Sequence, residues 1–120
     1  MENNLKKKAE HVIEPQAWGR LEWYVSAEIG NSETMTVGKC ILSPGGANGR
    51  HWHPNCDEIL TVLKGRIINS WDDEEFEMNV GDVISIPSGV VHNARNVGDE
   101  EAELSIAFSS AYRKTEGEEK

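Results

Sequence analysis

Five side chains that could bind a metal ion or transfer a proton lie within the eight residues HWHPNCDE. They are His51, His53, Cys56, Asp57 and Glu58. Imidazoles, thiolates and carboxylates are the side chains that hold transition metals in proteins. Because side chains alternate along a β-strand, His51 and His53 would share one face, and Trp52 would point to the other. One metal ion could then contact both imidazoles.

Further ligands are available outside this stretch. His92 lies in the largely apolar segment PSGVVHNARN, whereas His11 lies in a polar N-terminal segment where an exposed side chain is expected. Three imidazoles and one carboxylate form a mixed nitrogen and oxygen set that suits Mn, Fe, Co, Ni, Cu or Zn. Such a set leaves coordination positions for substrate, water or dioxygen. A His-x-His pair alone also fits two unrelated histidines, so this spacing by itself does not establish a metal site.

The segments that must position these side chains have the pattern of short β-strands. Aromatic and β-branched runs are separated by turns rich in glycine, proline, asparagine and aspartate, and none shows sustained helical periodicity. Many short strands at close spacing predict an all-β sandwich or barrel. The predicted strands are residues 21–26, 34–42, 58–65, 66–71, 76–80, 82–87, 90–97 and 102–110.

Two stretches resemble the conserved motifs of the cupin superfamily. GGANGRHWHPNCDEILTVLKG resembles the first motif, with matches at Gly45, His51, His53, Glu58 and Gly65. GDVISIPSGVVHNARN resembles the second motif, with matches at Gly81, Pro87, Gly89, His92 and Asn96. All ten specified positions match, and the 15 residues between the motifs fit the short spacing of small microbial cupins. We expect Asn96 to close a turn through its side-chain amide.

The resemblance implies a single-domain cupin jelly-roll β-barrel built from two antiparallel sheets. It also implies that one divalent transition metal ion (Mn, Fe, Zn, Ni or Cu) binds inside the barrel to His51, His53, Glu58 and His92. Asp57 falls one place off the glutamate position, and strand alternation points it to the other face. Cys56 is not a motif ligand, although a thiolate ligand would favour zinc or copper. We expect Cys56 to be a reduced, partly exposed turn residue.

Length, charge and cysteine content restrict the class of protein. The chain has 120 residues, which suits one domain. We predict a polar N-terminal arm (1–15), a cupin barrel domain (16–112) and a polar C-terminal tail (113–120). A net charge of −9 argues against nucleic acid or an anionic membrane as a partner. Two cysteines form no disulfide framework, and the N-terminus has no apolar run, so we expect a cytoplasmic protein with reduced thiols.

Several residues could determine which substrate binds and which oligomeric state the protein adopts. Aromatic and methionine side chains that could line a pocket, although most such residues pack in a core, are Trp23, Met35, Trp52, Trp71 and Phe108. Side chains that could hold a carboxylate, although strand cations more often face solvent, are Lys39, Arg66 and Arg95. The segment EILTVL is apolar on both faces, which predicts packing against a second copy and hence a homodimer.

The resemblance and the ligand set favour a metal-dependent enzyme that acts on a small oxygen-rich or carboxylated metabolite. A metal with open positions can chelate such a substrate and polarise its carbonyl, which supports lyase, decarboxylase or isomerase chemistry. With bound dioxygen the same site would give a dioxygenase. The alternative is a non-enzymatic metabolite-binding or sensor cupin, since one fold hosts many functions. No catalytic residue is assigned from the sequence.

Overall fold

The structure is a computed structural model that describes residues 3–118. Within these residues the chain forms eleven β-strands and one short 3-10 helix at Lys8–Glu10. In chain order the strands are β1 (Val12–Gln16), β2 (Gly19–Val25), β3 (Thr36–Leu42), β4 (His51–Trp52), β5 (Glu58–Lys64), β6 (Arg66–Trp71), β7 (Glu74–Asn79), β8 (Val83–Ile86), β9 (His92–Asn96), β10 (Ala102–Phe108) and β11 (Glu116–Gly117). No helix in this part of the chain is long and apolar enough to cross a membrane.

The strands form two sheets. One has six strands in the order β1-β2-β3-β10-β5-β8, and the other has five in the order β11-β4-β9-β6-β7. Every pairing in both sheets is antiparallel. The predicted all-β class with two antiparallel sheets is therefore confirmed.

The core lies between the two sheets and follows from strand alternation. In β10, Ala102, Leu104, Ile106 and Phe108 are buried, and the residues between them are less so. Ile67 of β6 is fully buried from the opposite sheet. Burying one such aliphatic side chain contributes about 1.5–3 kcal/mol, so this alternating pattern fixes which face of each strand looks inward.

Both ends of the described chain join the sheets. All five residues of β1 are exposed, and β1 pairs with β2 at the edge of the six-stranded sheet, where Pro15 is tolerated because an edge strand needs fewer N–H donors. At the other end, β11 pairs with β4, the strand that begins at His51. Residues from the predicted arm and tail thus complete the sheet edges.

Two glycines are required by close packing or by a turn. A Cβ atom on Gly38 would lie 2.6 Å from Cε3 of Trp23 and 2.2 Å from the carbonyl oxygen of Glu22, so the indole can lie directly against β3. Gly65 has φ of 84° in the tight turn between β5 and β6, which favours glycine. The first of these contacts positions Trp23 at the cavity described below.

Candidate metal centre

The four predicted ligands come from three strands that meet inside the barrel. His51 begins β4 and lies directly opposite His92, which begins β9. Glu58 begins β5 in the facing sheet, and His53 follows β4. The ring centroids of His51 and His92 are 4.4 Å apart, and those of His51 and His53 are 5.0 Å apart. Strand register therefore brings together residues that are as far as 41 positions apart in the sequence.

One ligand atom from each of His51, His53, Glu58 and His92 lies within 4.8 Å of the others. Three of these side chains are almost fully buried, and His51 is half-buried. Buried charges and imidazoles are costly unless they are paired or bind a metal. The structure thus forms a compact cluster of three nitrogens and one carboxylate.

The hydrogen bonds of the three imidazoles determine which ring nitrogen is free. Each Nδ1 donates to a backbone carbonyl oxygen, which can only accept: His51 to Gly49 (2.7 Å), His53 to Lys114 (2.9 Å) and His92 to Val90 (2.9 Å). Each Nδ1 therefore carries its proton, so Nε2 is the nitrogen that each imidazole would offer to a metal ion. Such carbonyl partners orient metal-binding histidines in many proteins.

Two contacts of Glu58 show how the cluster is arranged around a common point. Its Oε1 lies 2.9 Å from Nε2 of His92 and 3.3 Å from Nε2 of His53. Nε2 of His53 is buried and makes no hydrogen bond with any described residue, because the carboxylate lies outside hydrogen-bonding geometry. A buried nitrogen without a partner is destabilising unless something binds it. The orphaned Nε2 and the donor set fit a divalent transition metal ion.

The cluster also shifts the pKa values of its members. Burial raises the pKa of Glu58, but the hydrogen bond to His92 and the close contact with His53 together outweigh it and lower that pKa to about 2. Burial, with the nearby His92, lowers the pKa of His51 to about 4. Burial lowers the pKa of His92, but its hydrogen bond to Glu58 outweighs this and raises it. At neutral pH the carboxylate is therefore ionised and the His51 imidazole is neutral, as metal binding requires.

The cluster opens into a cavity of about 290 Å³ between the sheets. Its walls are largely apolar and include Leu21, Leu60, Leu104, Ile106, Trp23 and Phe108. Cys40 also lines it, and burial raises the pKa of this thiol to about 12, so it stays protonated. A cavity of this size and polarity suits a small metabolite bound mainly by a few polar groups.

The other acidic and thiol residues of the motif lie outside the cluster. Asp57 is exposed, and its Oδ1 accepts a hydrogen bond from the backbone N–H of Ser88. Cys56 is buried, with 4% exposure, and is not a partly exposed residue as expected. Burial raises its pKa, so it is a poor thiolate ligand. Trp52 does not line the cavity among the described residues, in agreement with strand alternation.

The remaining predicted pocket residues divide into two groups. Trp23 and Phe108 line the cavity, whereas Met35 and Trp71 do not line it within residues 3–118. His11 lies outside it, with its ring centroid 4.8 Å from that of Tyr24. Each cation predicted to reach a carboxylate faces an acidic side chain away from the cavity: Lys39 with Glu103, Arg66 with Glu77 and Arg95 with Glu75.

Several polar residues that line the cavity were not identified from the sequence, among them Asn69, Arg113 and Thr115. Arg113 and Thr115 lie in the segment predicted as a polar tail, and Asn69 lies in the middle of the predicted strand 66–71. Asn69 is fully buried, and its Oδ1 has no hydrogen-bond partner among the described residues. The polar residue at an inward position of β6 was the one available signal.

Comparison with known proteins identifies the family. The family model described as "Cupin domain" matches residues 38–108, more than half of the chain. The protein belongs to the cupin family, and its two antiparallel sheets form the jelly-roll expected from the resemblance.

Individual relatives match only part of their own length. The chain is 37% identical over 73 residues to polyketide synthase CurC from Streptomyces cyaneus, which covers 61% of this chain and 47% of that protein. It superposes on oxalate decarboxylase from Bacillus subtilis with a TM-score of 0.83 and 22% identity, covering 92% of this chain and 30% of that one. A recombinant oxalate oxidase in complex with glycolate gives a TM-score of 0.65 and 26% identity, covering 69% and 45%. The chain thus spans less than half the length of the curated relatives it matches.

Proposed function

We propose that the protein is a metal-dependent enzyme that acts on a small oxygen-rich or carboxylated metabolite, which it chelates to a divalent metal ion held by His51, His53, Glu58 and His92. The observation that carries this proposal is the four-residue cluster at a largely apolar cavity of about 290 Å³. The cluster provides four ligands, so a metal that prefers five or six keeps positions for substrate oxygens. A reaction of the lyase, decarboxylase, isomerase or dioxygenase class would use those positions.

A bound divalent ion would supply Lewis acidity and coordination sites for substrate oxygens. The residues of the chain have other tasks. The carbonyls of Gly49, Lys114 and Val90 hold the imidazoles in the tautomer that directs Nε2 inward. The apolar walls exclude water, which strengthens electrostatic interactions with a bound substrate.

The titratable groups of the cavity support electrophilic activation over general-base catalysis. Apart from the cluster, the titratable residues among those that line the cavity are Cys40, Arg50 and Arg113. Arg50 is occupied, since it donates hydrogen bonds to Glu118, Ser70 and the carbonyl of Asp72. The high pKa of Cys40 keeps it from acting as a thiolate. The described cavity therefore offers no carboxylate base outside the metal ligands.

The comparisons support the class of substrate but not its identity. One similar structure is an oxalate oxidase in complex with glycolate, a small hydroxy acid. Another structure of the same fold is an oxalate decarboxylase. Both names describe small acids that chelate metals, which agrees with the size of the cavity.

The test combines metal analysis with a substrate screen. Purified protein should hold close to one transition metal ion per chain, and it should convert at least one keto or hydroxy acid. Turnover that persists without oxygen would identify lyase, decarboxylase or isomerase chemistry, whereas strict dependence on oxygen would identify a dioxygenase. Protein that takes up no metal would contradict the proposal. Metal-loaded protein that shows only a ligand-induced melting shift would instead support the metabolite-binding alternative.

We also propose that two copies pair through the outer face of β5 and β8. Ile59 and Leu63 are 42% and 45% exposed on the face of β5 opposite to Glu58, and Val83 beside them is 58% exposed. Exposed apolar side chains on one sheet face often mark an interface. Light scattering after size exclusion should give the mass of a dimer, and Leu63→Glu should give a monomer. A wild-type monomer would contradict this proposal.

A further inference from the structure

Arg113 is the one cation of the described cavity whose charge has no partner. Among residues 3–118, no carboxylate lies within ion-pair distance of its guanidinium. Its one hydrogen bond to a described side chain is from Nη1 to Oγ1 of Thr115, at 2.6 Å. A guanidinium has five N–H donors, so most of them remain available for a ligand.

Aromatic stacking holds this guanidinium beside the cluster. Its Cζ lies 4.4 Å from the ring centroid of Trp23 and 5.3 Å from that of Phe108. Phe108 also contacts the cluster, because its ring centroid is 4.9 Å from that of His53. Phe108 therefore touches both a predicted metal ligand and the cation.

The residues that follow Arg113 connect its guanidinium to the imidazole of His53. Oγ1 of Thr115 accepts from Arg113 and also lies 3.2 Å from Nδ1 of His53, which donates to the carbonyl of Lys114. Two consecutive residues of the C-terminal segment thus contact the imidazole that holds the orphaned Nε2. The guanidinium is fixed relative to the metal site and does not extend freely into solvent.

Nearby acids do not neutralise Arg113. Glu14 interacts with Arg113 through its charge without forming an ion pair, and its Oε1 accepts a hydrogen bond from Nε1 of Trp23 at 2.8 Å. Glu58 is engaged with His92 and His53. Burial lowers the pKa of Arg113, which reflects the cost of holding this charge away from water. An anionic group on a ligand would offset that cost.

A second unpartnered group in the same cavity points to a ligand. Asn69 is fully buried and lines the cavity, and its Oδ1 has no partner among the described residues. This acceptor could receive a hydrogen bond from a ligand hydroxyl. The cavity therefore offers a cation and a buried acceptor in addition to the metal site.

We propose that Arg113 is a specificity-determining residue that binds a second carboxylate of a small dicarboxylic hydroxy acid whose other end chelates the metal. This inference rests on the proposed function, because it needs the metal site for the first end. A planar guanidinium can receive a carboxylate through two parallel hydrogen bonds. The open donors of Arg113, its fixed position and the unpartnered Asn69 all support such a ligand.

The test compares affinities of acids that differ in one carboxylate. Metal-loaded protein is titrated calorimetrically with lactate and with hydroxymalonate, malate and 2-hydroxyglutarate, which add a second carboxylate at increasing distance. We expect at least one dicarboxylic acid to bind about 10- to 100-fold more tightly than lactate, as for a hydrogen bond to a charged group. Arg113→Gln should abolish this preference by weakening the dicarboxylic acids far more than lactate, and Arg113→Lys should retain part of it.

Arg66→Gln is the matched control, because Arg66 is exposed and paired with Glu77 outside the cavity. It should keep the full preference. Equal affinity for lactate and all three dicarboxylic acids in the wild-type protein would overturn the role of Arg113 alone, as would a preference that survives Arg113→Gln. Metal-loaded wild-type protein that binds none of the four acids would overturn the role of Arg113 together with the proposed substrate class.

Discussion

Replacing Glu58 by glutamine tests the metal centre, because it removes one negative charge and nearly preserves the size of the side chain. Glu58 is 4% exposed, and its Oε1 lies 2.9 Å from Nε2 of His92. If the cluster binds a metal ion, this carboxylate is its only anionic ligand among the described residues. We expect Glu58→Gln to lose most of the stabilisation that added metal gives to the wild-type protein.

The size of the effect follows from linkage. A ligand present at 100 times its Kd stabilises the folded protein by about 2.7 kcal/mol. In a chain of this length, 1 kcal/mol shifts Tm by roughly 3–6 °C, so metal should raise the wild-type Tm by roughly 10 °C. Removing one partner of a buried charge pair costs about 3–5 kcal/mol, which corresponds to at least about 100-fold weaker binding. At the same metal concentration the variant would retain about 0.4 kcal/mol, or roughly 1–2 °C.

The assay is thermal unfolding of metal-free protein with and without added metal, together with elemental analysis. Asp57→Asn is the matched control, because Asp57 is the neighbouring acid, is exposed and lies outside the cluster. Asparagine keeps the oxygen that accepts from Ser88, so its metal-dependent shift should equal that of the wild type. A Glu58→Gln variant with the same metal content and the same shift as the wild type would refute the ligand assignment.

Other predictions concern the ligands, the thiols and the core. The double substitution His51→Ala and His53→Ala should abolish metal binding, whereas Cys56→Ser should not; equal loss in both proteins would show that the thiol is a ligand. Because burial raises the pKa of Cys40 to about 12, it stays protonated and should react with iodoacetamide at pH 8 only after denaturation; rapid reaction of the native protein would contradict its burial. Leu104→Ala should lower the free energy of unfolding by about 2–5 kcal/mol in urea melts, and a loss below about 1 kcal/mol would show that β10 does not pack as described.

The sequence predicts the β-strands and the two sheets well because strands depend on local patterns, whereas the four-residue cluster was expected from the resemblance to the cupin motifs. Inward alternation in β10 is visible as apolar residues at every second position, and the observed burial follows it. The expected role of Asn96 also agrees with the structure, since its amide donates to the carbonyls of Leu42 and Glu100. The pairing of His51 with His92 places two of the predicted ligands at one register position.

The polar part of the cavity was not predicted because it depends on contacts with no sequence period. β11 is two residues long and pairs with β4, so it has too few side chains to give a strand pattern in the sequence. Arg113 lies in a run of polar residues that also fits a solvated tail, and only stacking on Trp23 and Phe108 places it in the cavity. The position of this partly buried cation therefore follows only from the three-dimensional structure.

The four residues of the cluster and Arg113 are positioned by different parts of the fold. This explains why the cluster was expected from the sequence and Arg113 was not. The four predicted ligands lie on β4, β5 and β9 or directly after β4, so a change in strand register would displace all of them together. Lys114 and Thr115 come from the segment after β10, and they contact both His53 and Arg113. Because this segment, and not the strands of the cluster, positions Arg113, it is suited to determine which acid binds beside the proposed metal site. Substrate choice in this protein would then reside in residues that the family model, which ends at residue 108, does not include.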